Sequence, residues 1–225
     1  MNNGEVVLKL ASRMCDSTRS VQYDMKKFSF IAVDLQNDFT SEGGKHLKVK
    51  RPSIDFLKNN VFPFFARKNI KVNEIVSDYR APRPGDRGVG CEPGTWGYES
   101  IVPSEIVKSQ WIKCMNSPIW TRENIGNPDK EPGLPYQDTK AFGKWLEENV
   151  GKPEEVTPIV FGITIDCCVL STLQELNWRG YYPKVIYEGT DHYDGTKESK
   201  DAVIKSTLTN RAEVVHWDEL SSAEA

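Results

Sequence analysis

Hydrophobic positions along the chain fall into short blocks that alternate between two periods. Phe28-Ser-Phe-Ile-Ala-Val-Asp34 is an apolar run bounded by polar residues, the pattern of a strand buried on both faces. Residues 53–69 place Ile54, Leu57, Val61, Phe64 and Phe65 at helical spacing, with Ser53 as N-cap after Pro52 and Pro63 set to kink or split the helix. Strands are predicted at 70–77 and 110–113, and a helix over 138–150 with Phe142, Leu146 and Val150 along one side. A strand at 156–162 leads into the clearest helix, 167–180. There Cys168, Val169, Thr172, Leu173 and Leu176 form one stripe and Gly180 ends it. A strand at 184–187, a helix over 197–209 and a strand at 213–216 follow.

Six strands alternating with helices predict an α/β fold over residues 28–225. The expected architecture is a single-domain, doubly wound, Rossmann-like parallel sheet of six strands flanked by helices. Residues 1–27 read as a polar N-terminal arm with a short strand at Val6–Leu10. Two long loops interrupt the alternation: 79–104, dense in proline and glycine, and 116–135. Long loops inside a compact domain tend to carry function.

Composition narrows the classes. The chain has 225 residues, 38% hydrophobic and 27% charged, which suits a globular domain with a sizeable core. A net charge of −3 without a basic block offers nothing to a nucleic acid. No apolar run approaches the roughly 20 residues of a membrane helix. The first residues lack the features of a secretory signal, and five cysteines are an odd number for a disulfide framework. Cys15, Cys91, Cys114, Cys167 and Cys168 are therefore read as free thiols, and the expected location is cytoplasmic.

Three reactive side chains fall at or just past predicted strand ends or in the helix turn that follows: Asp34, Lys113 and Cys168. In open parallel sheets the ligand crevice lies outside those ends. Each alone has an ordinary explanation: a packed thiol, a loop-capping acid, a solvated lysine. Together they suggest chemistry, with Cys168 as nucleophile, Asp34 taking its proton and returning it to the leaving amine, and Lys113 fixing the carboxylate. Asp166 is expected to cap the helix, putting Cys168 near its second position, where free amides and the dipole favour a thiolate.

At these residues the chain resembles the isochorismatase-like superfamily, which includes nicotinamidases and carbamoyl-amide hydrolases. Phe30-Ile-Ala-Val-Asp34-Leu-Gln-Asn-Asp38-Phe39 is similar to the family's first-strand signature, with its catalytic Asp. Trp111-Ile-Lys113, followed by Ser117 and Trp120, resembles the segment with the catalytic Lys. Gly162-Ile-Thr-Ile-Asp166-Cys167-Cys168-Val169 resembles the nucleophile signature and singles out Cys168 over Cys167. Cys91-Glu-Pro-Gly94-Thr95-Trp96-Gly97 is similar to a further loop segment. The resemblance runs from about Phe28 to His216. It implies a non-proline cis peptide at Ile163–Thr164 and an oxyanion hole built from the amides of Thr164 and Cys168. It also implies a homo-oligomer, a dimer or a tetramer.

The chain departs from metal-dependent nicotinamidases, which carry an Asp-x-His pair after the second strand and a further His before the Cys-x-x-Gly-Thr loop. Asp78-Tyr79-Arg80 and Gly90 stand at those places, and the three histidines, His46, His192 and His216, have no metal-ligand spacing. No metal and no cofactor is expected. Arg80 is a candidate for holding a substrate carboxylate or carbonyl. Phe39, Trp96, Tyr98 and Trp120 are candidates for the pocket wall. The favoured activity is cysteine-dependent hydrolysis of a small carboxamide or carbamoyl compound through a thioester. The alternatives are a vinyl-ether hydrolase using Asp34 with Lys113, and a binding protein that keeps the fold without turnover.

Overall fold

The computed structural model describes residues 25–80 and 89–222. The N-terminal arm, with its expected strand at 6–10, lies outside them except for a 3-10 turn at Met25–Lys27. The six expected strands form one sheet: β1 (Phe28–Val33), β2 (Val72–Ser77), β3 (Val107–Lys113), β6 (Thr157–Ile163), β7 (Lys184–Asp191) and β8 (Glu213–Val215). Every pairing is parallel, and the order is β3-β2-β1-β6-β7-β8. From β1 the chain builds outward to β3, then crosses back and builds outward again from β6. The switch point therefore lies between β1 and β6, where Val33 stands beside Gly162. Two minor strands, β4 (Trp120–Thr121) and β5 (Tyr136–Gln137), form a small antiparallel pair within the second long loop.

Both faces of the sheet are covered, so its central strands read as unbroken apolar runs. On one face Phe30 and Ala32 of β1 and Ile159 and Phe161 of β6 meet Leu57, Val61 and Phe65. On the other, Ile31, Val33 and Val160 meet Phe142, Leu146, Val169 and Leu173. Phe65 is fully buried, with its ring 4.5 Å from that of Phe30. Burial of one such side chain contributes about 1.5–3 kcal/mol. Among the described residues no helix is long and apolar enough to cross a membrane.

The helices refine several expectations. After a short α1 (Asn37–Thr40), the segment 53–69 is split into α2 (Pro52–Phe56) and α3 (Phe62–Lys68) by a π-helical stretch at Leu57–Val61. The looser bonding there precedes Pro63, whose missing N–H falls in the first turn of α3. Ser53 is not the N-cap of α2; Arg51 holds that place, and the Ser53 amide donates instead to Asp191 Oδ2 (2.9 Å) at the end of β7. Helix α4 (Thr139–Asn149) is capped by Asp138, which accepts from the Ala141 amide at 2.8 Å. Helix α5 (Cys168–Trp178) follows β6, α6 (Lys197–Val203) precedes a π-helical turn, and a short α7 (Trp217–Ser221), absent from the sequence expectation, follows β8. The N-cap of α5 is Cys167, not Asp166. The Asp166 carboxylate is engaged by the Tyr193 amide (3.0 Å) and by His192.

Gly162 is where β6 comes closest to β1. Its φ is +122°, and a Cβ there would stand 2.1 Å from the Val33 carbonyl oxygen. Gly162→Ala is expected to lower stability by at least about 2 kcal/mol, read as a shift of the urea midpoint. A midpoint within error of the wild type would show that the close approach is not a constraint.

Candidate active site

Three neighbouring strands end in one row. Lys113 is the last residue of β3, Ser77 the last of β2 and in register with it, and Asp34 directly follows β1. Asp34 turns off the strand with a φ of 52°, and its amide donates to the Ile75 carbonyl at 2.9 Å. The turn points the carboxylate back along the strand ends. Ser77 Oγ donates to Asp34 Oδ1 (2.8 Å), and Lys113 Nζ donates to Asp34 Oδ2 and to Ser77 Oγ, both at 2.8 Å. The Lys113 ammonium also lies 3.2 Å from Tyr79 OH and 3.4 Å from Cys168 Sγ.

The rest of the first signature segment serves this row. The Gln36 side chain accepts from the Ser77 amide (2.7 Å) and donates to the carbonyls of Ser77 and Tyr98. Asp38 accepts from the amides of Lys45 (3.0 Å) and Cys91 (2.6 Å). These bonds tie the loop segments around 45 and 91–98 to the end of β1.

Cys168 is the first residue of α5, directly beyond the switch point, and is buried. The Ile163–Thr164 peptide is cis, at the position implied by resemblance, and Thr164 and Cys168 both line the adjoining cavity. The thiol does not match the expectation of a readily ionised sulfur. The hydrogen bond with Cys167, burial and the Asp34 carboxylate push it well above the ordinary thiol range, against the pull of Lys113. The Cys167 hydrogen bond, burial and the nearby carboxylate together outweigh the helix terminus. Burial opposes charge on Lys113, but Asp34, Cys168 and Tyr79 more than offset it, and its pKa lies well above the ordinary range.

These groups open onto a cavity of about 130 Å³. Asp34, Tyr79, Thr164 and Cys168 line it, with Asn116 Oδ1 at 3.7 Å from the sulfur. Phe39 forms a wall, stacked on His46 with ring centres 5.2 Å apart. The other four residues expected to contact substrate lie elsewhere. Arg80 clasps Asp78 through Nε (3.0 Å) and a terminal nitrogen (2.8 Å), and donates to the carbonyls of Asn124, Asn127 and Lys130. Its fork is filled, and it fastens the second long loop to the end of β2. Trp96 is half exposed on a 3-10 turn, and Trp120 packs against the core beside α4 and α5. Tyr98 lies near Asp78 and Arg80, and its hydroxyl is pushed up to about 12, chiefly by burial. Sequence reasoning missed Tyr79, Asn116, Arg51 and Tyr193 as cavity residues; Tyr79 stands in the segment compared with the Asp-x-His pair, but only proximity in the fold marks the four.

The residues at the places of the metal ligands do not fit a divalent ion. Asp78 has both oxygens on the Arg80 guanidinium and a further bond from the Gly126 amide (2.8 Å), so a fixed cation already occupies its acceptor sites. Among the described residues no three His, Cys, Asp or Glu side chains are grouped to hold a metal.

The raised Cys168 value yields a signed prediction. Alkylation of Cys168, followed residue by residue by mass spectrometry, is expected to have its midpoint above the ordinary thiol value of about 8.5. Asp34→Asn removes a charge that opposes the thiolate and is expected to move the midpoint down. A wild-type midpoint below 8.5, or no response to Asp34→Asn, would contradict this electrostatic picture.

No protein-family model matches the chain, and neither does any curated protein. Solved structures do match. The fold is similar to the pyrazinamidase of Pyrococcus horikoshii in complex with zinc, at 18% identity and a TM-score of 0.59, covering 85% of this chain and 99% of that one. An isochorismatase-like hydrolase from Alkaliphilus metalliredigens gives 18% identity and 0.59, covering 86% and 97%. The yeast nicotinamidase bound to the inhibitor nicotinaldehyde gives 18% identity and 0.57, covering 84% and 99%. The chain therefore has the fold shared by the isochorismatase-like hydrolases and the nicotinamidases.

Proposed function

We propose that the protein is a cysteine-dependent hydrolase of a small carboxamide or carbamoyl compound. The observation that carries this reading is the buried Lys113 ammonium, shared between the Asp34 carboxylate and the Cys168 sulfur, both of which line a small cavity. A structural ion pair has no need of a thiol at its open side. Similarity to solved nicotinamidase and pyrazinamidase structures supports the same class.

In this mechanism the substrate carbonyl carbon sits over Cys168 Sγ, with its oxygen toward the amides of Thr164 and Cys168. The sulfur attacks as Asp34 accepts the thiol proton, so the neutral resting thiol is charged only as its new bond forms. Charge developing on the carbonyl oxygen is stabilised by the two amides. Collapse breaks the C–N bond, and Asp34 returns the proton to the leaving nitrogen, which departs as ammonia or an amine. Water then attacks the thioester, with Asp34 taking its proton, and the carboxylic acid is released with the thiol restored. Lys113 holds Asp34 in place and balances its charge throughout.

Ammonia release from a panel of nicotinamide, N-carbamoyl amino acids, ureidoacrylate, biuret and aliphatic amides tests the reading. Cys168→Ala is expected to lose at least about 1,000-fold in kcat, and acid-quenched wild-type protein to carry an acyl mass on Cys168. Full turnover in Cys168→Ala would overturn the cysteine mechanism. Turnover of a vinyl ether that survives Cys168→Ala but not Asp34→Asn would replace it with the ether hydrolase.

A further inference from the structure

One wall of the cavity carries a cation that the proposed chemistry does not use. Arg51 lines the cavity and is only 5% exposed. Its terminal nitrogens donate to two backbone carbonyls, of His192 (2.9 Å) and Tyr193 (3.4 Å). Its Nε is buried without a hydrogen-bond partner. A guanidinium has five N–H donors, so these two bonds leave most of the fork free.

The charge also lacks a direct ion pair: among the described residues no carboxylate lies within ion-pair distance of Arg51. The two nearest in electrostatic effect are committed elsewhere: Asp191 to the Ser53 amide and toward Lys200, Asp166 to the Tyr193 amide and His192. Burial lowers the Arg51 pKa from its ordinary value, the sign of a cation short of counter-charge. A buried charge without a partner is costly, so a guanidinium with unfilled donors in a cavity wall would gain from an incoming anion. Arg80 shows the contrast in the same fold: its carboxylate partner is built in, whereas Arg51 has none among the described residues.

We propose that Arg51 binds a carboxylate of the substrate, so that the protein acts on small amides carrying a second, anionic end. The proposal rests on the amidohydrolase reading and narrows it. Planar donors of a guanidinium match the two oxygens of a carboxylate. Arg51 and Cys168 line one cavity of about 130 Å³, well below the roughly 300–1,000 Å³ of drug-sized sites, so the substrate spans them with a short linker. The carboxylate is bound at Arg51 and is not transformed. The carbonyl at its other end meets the sulfur. An uncharged amide of the same length would leave the guanidinium desolvated and unpaired.

The test compares matched pairs that differ in one group: succinamate with succinamide, and maleamate with maleamide. Wild-type protein is expected to favour the anionic member by roughly 100-fold or more in kcat/KM, mostly through KM. In Arg51→Gln that ratio is expected to fall toward one, with Arg51→Lys in between. Binding of succinate and maleate to the Cys168→Ala protein, by calorimetry, separates this proposal from the reading beneath it. Carboxylate binding that disappears with Arg51→Gln while no amide is hydrolysed would sink the hydrolase and keep the anion site. Equal rates for both members of each pair in the wild type would overturn the anion site and keep the hydrolase. Should Arg51→Gln fail to fold, by circular dichroism, the wild-type ratio decides alone.

Discussion

The structure turns on one ammonium group. Lys113 has a fully buried side chain at the end of β3, and its nitrogen has three protons for four neighbouring acceptors: Asp34, Ser77, Tyr79 and the Cys168 sulfur. The two short bonds, to Asp34 and Ser77, lock the ends of three adjacent strands together. The two longer ones, to Tyr79 and Cys168, face the cavity and compete for what remains. Breaking a buried pair of this kind costs about 3–5 kcal/mol, because the surviving charge stays in an apolar surround. The fold and the proposed chemistry thus draw on the same interaction: the pair that pins the strand ends also sets the charge beside the sulfur.

That arrangement adds to the hydrogen bond with Cys167 and to burial in pushing the Cys168 thiol above its ordinary range. Lys113 favours a thiolate, yet its charge is already matched by Asp34, and a second anion in the same buried space would be unbalanced. In the proposed mechanism, charge separation at Cys168 becomes favourable only when a substrate carbonyl accepts the electrons and the Asp34 carboxylate takes the proton.

Two arginines show how the fold assigns the same residue type to opposite tasks. Arg80 stands beside its partner in sequence, two residues from Asp78, and spends its donors on a loop. Arg51 precedes α2, where Pro52 opens the helix, and reaches carbonyls about 140 residues away at the end of β7. Local spacing attracted attention to the first. Only the crossover that brings β7 beside β6, and α2 against β7, places the second in the cavity.

The order and type of the main elements were legible because the apolar pattern is a local consequence of burial on both faces of a sheet, and the six strands expected over residues 28–216 are the six of the main sheet. The three residues at the strand ends were legible for a related reason: in a doubly wound sheet the C-terminal end of a strand is already a location in space. Asp34, Lys113 and Cys168 could thus be grouped before any distance was known. Caps and pocket walls were not legible. Asp166 and Ser53 have the right types for capping α5 and α2, but Tyr193, His192 and Asp191 compete for the same hydrogen bonds from distant parts of the chain. Tertiary structure decided those contests, since a side chain with several possible partners bonds to whichever the packing brings near. It decided likewise that Arg80 is spent on a loop and that Arg51 faces the sulfur's cavity with donors to spare. The sequence determined the sheet and the row of reactive groups at its edge; the crossings between elements determined what surrounds them, because burial leaves its mark at each position while proximity leaves none.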